Sequence, residues 1–254
     1  MKKSLFIIVL IFFIPFLSYN QTKNSFETTE NTKEYQIQKK YLIGDFDPAT
    51  DSDFVLVDKK YTPPKKTFYL RKEVYQAFLK LYKAAKKDSI QIKIVSATRN
   101  FDYQKDLWDE KWNNAKIINE GDTTIPDTIT RVMMLMKYLS MPGTSRHHWG
   151  TDIDLNSGDP DYYFTDEGDK FYKWMKVNAN KFGFCQPYVQ KRYNPLSVQE
   201  ERWHWSYLPV AHKFLEEYIK TVNYEDIKGF NGSEKAVTLD VIKNYVLNIN
   251  AGCY

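Results

Sequence analysis

The sequence predicts an α+β fold in which a small antiparallel sheet is flanked by helices. Three observations lead there. Residues 90–95, IQIKIV, alternate apolar and polar side chains at the period of a half-buried strand. Residues 70–87 instead set Val74, Phe78, Leu81 and Ala85 at helical spacing. The remaining strand-like stretches are few, short and separated by helical ones, with no internal repeat.

In chain order, residues 101–116 read as a second helix. Residues 128–139 read as a third, stopped by Met141, Pro142 and Gly143. A short strand follows at 151–155, then a helix over 166–181 that ends at Gly183, then a strand at 203–207. Helical segments at 209–221 and 236–249 finish the chain. Residues 21–60 are polar and aperiodic and read as an N-terminal extension. The domain itself is expected over residues 61–220, with 221–254 as a C-terminal helical extension.

The chain begins as an exported protein would. Lys2 and Lys3 precede an apolar run at 5–17 that Pro15 interrupts, too short for a membrane span of about 20 residues. This is the pattern of a signal peptide over residues 1–20, cleaved between Ser18 and Gln21. No second long apolar run follows, so no membrane contact is expected beyond that segment.

With 254 residues, 43% hydrophobic and 27% charged, the composition excludes wholesale disorder and a collagen-like fibre. The net charge of +4 loses two units with Lys2 and Lys3, which leaves no electrostatic footprint for nucleic acid. Cys185 and Cys253 are the only cysteines. Their spacing excludes a cysteine zinc site, while an exported chain can join them in a disulfide.

The chemistry concentrates around three of the four histidines. His147 and His148 stand in Ser145-Arg-His147-His-Trp-Gly150-Thr-Asp152-Ile-Asp154, and His204 stands in Glu201-Arg-Trp203-His204-Trp205. In a strand, Ile153 and Leu155 share one face, which leaves Asp152 and Asp154 on the other. Two imidazoles and one carboxylate make a three-ligand zinc site with a position left open, and Glu201 is then free to act as a base. The alternative is a core histidine among tryptophans, with both aspartates serving as turn or capping groups.

These motifs resemble the signature of the zinc D-alanyl-D-alanine carboxypeptidases, the VanY-type peptidoglycan peptidases. That family carries Ser-x-x-Arg, then Ser-x-His with an Asp beyond it, then Glu-x-x-His with Trp before the His. Here these are Ser96 to Arg99, Ser145 to Asp154, and Glu201 to His204. The resemblance covers roughly residues 65–210. It implies one zinc ion per chain held by His147, Asp154 and His204, with Glu201 as the catalytic base. Arg99 is implied as the group that grips substrate or steadies the oxyanion. Gln104, Ser145 and Trp203 fall at substrate-contacting positions, and a peptidoglycan stem peptide is the implied substrate.

Two departures stand out. His148 follows the ligand where many relatives have Gln, which leaves a supporting, substrate-contacting or exposed role open. Asp152 is an acid where relatives often have a small residue. It either competes with Asp154 as ligand or supports a ligand imidazole from behind.

Overall fold

The computed structural model describes residues 37–115, 117–119, 122–124, 126–190 and 196–254. The expected signal peptide and the first part of the expected extension lie outside the described residues. No helix among the described residues is long and apolar enough to cross a membrane.

Residues 37–60, expected as extension, contribute regular elements. A five-residue helix, α1 (Lys39–Ile43), is closed by Gly44 in the left-handed region. Strand β1 (Phe54–Leu56) pairs antiparallel with β2 (Tyr69–Arg71). Elements of three to five residues show too little of either hydrophobic period to be legible in sequence.

Helix α2 (Lys72–Lys87) buries Val74, Phe78, Leu81 and Ala85, the stripe its spacing predicts, and Ala77 beside them. Each large apolar side chain on that stripe contributes roughly 1.5–3 kcal/mol relative to exposure. The strand predicted at 90–95 is shifted to β3 (Ile94–Ser96), although Ile90, Ile92 and Ile94 are all buried as the alternation requires. Helix α3 (Phe101–Asn114) starts at Asn100, whose side chain accepts from the Tyr103 N–H. A hairpin of β4 (Ile117–Asn119) and β5 (Asp122–Thr124) follows, which sequence reading missed.

Helix α4 (Thr128–Leu135) is capped by Asp127, accepting from Thr130 N–H, and stops four residues short of the expected 139. Then come β6 (Asp152–Leu155), α5 (Asp166–Asn178), β7 (Phe184–Cys185), β8 (His204–Tyr207) and α6 (Leu208–Thr221).

The four-stranded sheet has the order β3-β6-β8-β7, every pair antiparallel. One face packs Ile94, Ile153 and Leu155 into a core with the buried stripe of α2. On β6 the period of two turns Asp152 and Asp154 to the opposite face. The register sets Asp154 opposite His204 and Asp152 opposite Ser206. That register assembles the site.

The C-terminal segment corrects one expectation. Residues 236–249 do not form a continuous α-helix; Asp240 takes a φ of 45°, and the only regular turn there is a π-type one at Ile242–Val246. Asp240 instead accepts a hydrogen bond from the Tyr224 hydroxyl at 2.5 Å. The segment buries Ala236, Leu239, Val241 and Tyr245 with Trp108, Val132 and Leu135 of α3 and α4. Cys185 and Cys253 are joined, their Cα atoms 5.7 Å apart.

Candidate metal centre

His147 belongs to a short 3-10 turn, Arg146–Trp149, that Ser145 caps by accepting from the His147 N–H at 3.3 Å. Gly150 ends this turn with a φ of 74°. A Cβ there would lie 2.4 Å from the Phe54 ring, so only glycine turns the chain into β6 at this point.

Three buried atoms converge on one point. His147, Asp154 and His204 each offer a ligand atom, all within 4.8 Å of one another. Asp154 Oδ1 lies 3.3 Å from His147 Nε2 and 3.6 Å from His204 Nδ1. It is buried without a well-formed hydrogen bond among the described residues. A buried carboxylate oxygen left in that state, facing two imidazole nitrogens, fits a cation among them.

The opposite side of each ring is occupied, which fixes how each ring can bind. His147 Nδ1 donates to the Ala97 carbonyl at 2.8 Å, leaving the Nε2 lone pair toward Asp154. His204 Nε2 donates to Asp152 Oδ1 at 2.8 Å, leaving Nδ1 toward Asp154. Asp152 therefore stands behind His204, on the side of the ring away from Asp154. It is itself held by Arg146 Nε at 3.1 Å, by the Ser206 hydroxyl at 3.0 Å and by the Thr151 hydroxyl at 2.5 Å.

Arg99 lies three residues beyond β3 and donates in three directions. Its Nη2 bonds Asp154 Oδ2 at 2.7 Å, Nε bonds Ser96 Oγ at 3.0 Å, and Nη1 bonds Gln104 Oε1 at 3.2 Å. Gln104 is fully buried and anchored through Nε2 to the Ser140 carbonyl. It orients Arg99 from behind rather than lying on a solvated helix face. Glu201 brings Oε2 to 3.0 Å from His204 Nδ1. Trp203 lies largely in the core against Tyr138 and Tyr163, and Ser145 is buried at its cap.

His148 is not exposed. Its Nδ1 donates to the Arg99 carbonyl at 2.7 Å and its Nε2 accepts from the Gly143 N–H at 3.0 Å. Burial pushes its pKa down to about 3, so the ring is neutral. The sequence left its role open because a histidine beside a ligand looks the same whether it faces substrate or backbone.

Electrostatics follow from burial and close pairing. Burial raises the Asp154 carboxyl, but the His147 ring beside it, Arg99 and His204 outweigh that and hold it well below the usual carboxylate range. Burial likewise opposes ionisation of Asp152, and Arg146 and His204 reverse it. Burial lowers His204, yet its bonds to Asp152 and Glu201 lift the ring to about 9 on the protein's own groups alone. His147 is lowered by burial and by Arg99. Glu201 is raised by burial, with His204 opposing.

Comparison with known proteins falls on the same stretch of chain. The family model described as VanY, D-alanyl-D-alanine carboxypeptidase, matches residues 67–210. The putative carboxypeptidase YodJ of Bacillus subtilis (strain 168) is 26% identical over 193 residues, which are 72% of this chain and 63% of that protein. A D-alanyl-D-alanine carboxypeptidase of Enterococcus faecalis (strain ATCC 700802 / V583) is 26% identical over 157 residues. The chain spans only 52% of that relative's length. A D-alanyl-D-alanine carboxypeptidase of Enterococcus faecium is 25% identical over 283 residues, 94% of this chain and 83% of that one. Among solved structures, the LdcB LD-carboxypeptidase superposes with a TM-score of 0.49 at 24% identity, covering 71% of this chain and 81% of that one.

Proposed function

The chain belongs to the VanY D-alanyl-D-alanine carboxypeptidase family, and on that premise we propose that it is an exported zinc peptidase acting on peptidoglycan stem peptides. Its reaction is removal of the terminal D-alanine from a D-Ala-D-Ala end. The observation that carries this reading is the convergence of His147 Nε2, Asp154 Oδ1 and His204 Nδ1, with Glu201 Oε2 beside them.

Those three atoms are the ones that would hold the metal; each ring turns the required nitrogen toward Asp154, and His204 must first give up the proton it shares between Nδ1 and Glu201 Oε2. Zinc, when bound, supplies the Lewis acid that polarises the scissile carbonyl and makes water acidic enough to be deprotonated near neutral pH. Glu201 takes the proton from the attacking water at a carboxylate oxygen and returns it to the amine of the leaving D-alanine. Proton and charge balance across hydrolysis, and Glu201 ends as it began.

Arg99 donates three of its five N–H groups to Asp154, Ser96 and Gln104, and is 13% exposed at the side chain. Two N–H groups remain to meet a substrate carboxylate or the oxyanion, in an orientation fixed before substrate arrives. Export rests on the basic start and apolar run of residues 1–17.

The test is mass spectrometry of a pentapeptide-bearing wall fragment incubated with zinc and residues 21–254. Loss of one alanine is expected. Glu201→Gln should retain the metal and lose at least about 100-fold in turnover. Shortening of a tetrapeptide, or cleavage of cross-links with the pentapeptide end intact, would replace the D,D-carboxypeptidase assignment. An unchanged rate in Glu201→Gln would remove that residue from the chemistry.

A further inference from the structure

Glu201 lies in a stretch with no helix or strand of its own, so something other than a ladder must hold it. Both polar groups of its main chain bond to residues 186–188, and its carbonyl also accepts from the His204 N–H at 3.4 Å. Its N–H donates to the Tyr188 carbonyl at 3.0 Å, and its carbonyl accepts from Gln186 Nε2 at 3.0 Å. The same Nε2 donates to the Tyr188 carbonyl at 3.1 Å. Gln186 Oε1 accepts from the Tyr172 hydroxyl at 3.0 Å, which sets the amide's orientation. The Tyr188 ring meets the His204 imidazole edge-on at 5.0 Å.

Residues 186–188 are in turn caught by the end of the chain. Asn250 N–H donates to the Pro187 carbonyl at 2.8 Å, and Asn250 Nδ2 donates to the Gln186 carbonyl at 3.1 Å. The disulfide ties Cys185, one residue earlier, to the fully buried Cys253. Asn250 Oδ1 accepts from Gly252 N–H at 3.2 Å and closes the 3-10 turn Ala251–Cys253. All of this tail lies outside residues 67–210, the stretch the family model matches.

We propose that residues 250–253 clamp Glu201 in its working position, with Gln186 as the positioning residue between them. The proposal rests on the catalytic reading of Glu201 given above. Among the described residues the tail bonds to Cys185, Gln186 and Pro187 and makes no hydrogen bond to His147, Asp154 or His204. It acts by holding one main chain that holds another, and a general base displaced by about 1 Å loses up to about 100-fold in rate.

Amide hydrogen exchange tests the clamp whatever the protein hydrolyses. Gln186→Met keeps the side chain's length and removes its donors. The double variant Cys185→Ser, Cys253→Ser releases the tail. Asn250→Asp keeps the Gly252 cap and removes the donor to Gln186. In each, exchange across residues 196–206 should rise about tenfold or more while α2 stays protected. Unchanged exchange in all three sinks the clamp, and so does equal loosening of α2, because that outcome means general destabilisation.

Turnover then tests the consequence. At equal zinc content, kcat should fall about tenfold with KM within about twofold. Faster exchange with unaltered kcat overturns the positioning role. Wild-type protein that cleaves no wall peptide would refute the catalytic reading, and exchange alone would still decide the clamp.

Discussion

The two imidazoles of the centre are backed by different chemistry. Behind His147 stands a neutral main-chain carbonyl, that of Ala97. Behind His204 stands a buried carboxylate, Asp152, which needs Arg146, Ser206 and Thr151 to make its charge tolerable. A carbonyl fixes the tautomer of its ring at no electrostatic cost. A carboxylate also makes the imidazole a stronger donor to a cation, but it introduces a charge that the interior must balance. The His204 side is therefore the more polarised and the more fragile of the two, and it is also the side on which Glu201 sits.

The sharpest way to break that asymmetry is to remove the balancing charge. Arg146 is almost wholly buried, with its guanidinium between Asp152, Ser206 and the Trp149 ring. Arg146→Met should destabilise the protein by about 3–5 kcal/mol, as expected when one partner of a buried ion pair is removed. Urea unfolding measures this directly. A loss under about 1 kcal/mol would mean that Ser206 and Thr151 carry Asp152 without the arginine.

A milder change separates affinity from stability. Asp152→Asn keeps the shape and an oxygen facing His204 Nε2 but removes the charge. Zinc affinity, read by competition with a chelator, should fall about 10- to 100-fold while the fold persists. No comparable single substitution exists on the other side, because the partner of His147 is main chain. Affinity unchanged in Asp152→Asn would reduce the carboxylate to an orienting group equivalent to the Ala97 carbonyl.

How far this centre was legible in sequence follows from the same contrast. The spacing from His147 to Asp154, and the alternation that turns Asp152 and Asp154 to one face, are local properties that a single strand displays. Which aspartate lies between the two imidazoles is not local. It depends on the β6–β8 register, Asp154 against His204 and Asp152 against Ser206, which no spacing within either motif encodes. Arg146 went unremarked because an arginine beside two histidines gives no sign of being buried.

The long helices were readable for the same reason the tail was not. Helix α2 repeats its apolar stripe over four turns, whereas residues 236–253 bury side chains at irregular intervals around the break at Asp240. A segment shaped by what it packs against carries little periodicity of its own.

The smallest expected effect concerns the third buried imidazole, which completes the comparison. His148 bridges two main-chain groups, donating to the Arg99 carbonyl and accepting from Gly143 N–H. Its ring also fills the space over Gly44, where a Cβ would come within 2.3 Å of Nδ1. Like His147 it relies on a carbonyl, and like His204 it is buried next to His147, yet its chemistry is that of a neutral donor–acceptor bridge. A glutamine amide offers the same donor and acceptor, so His148→Gln should cost less than about 1 kcal/mol. His148→Ala strands two buried polar groups and should cost about 1–3 kcal/mol. Equal losses in the two variants would show that the ring's bulk against Gly44, rather than its bridge between Arg99 and Gly143, is what the fold requires.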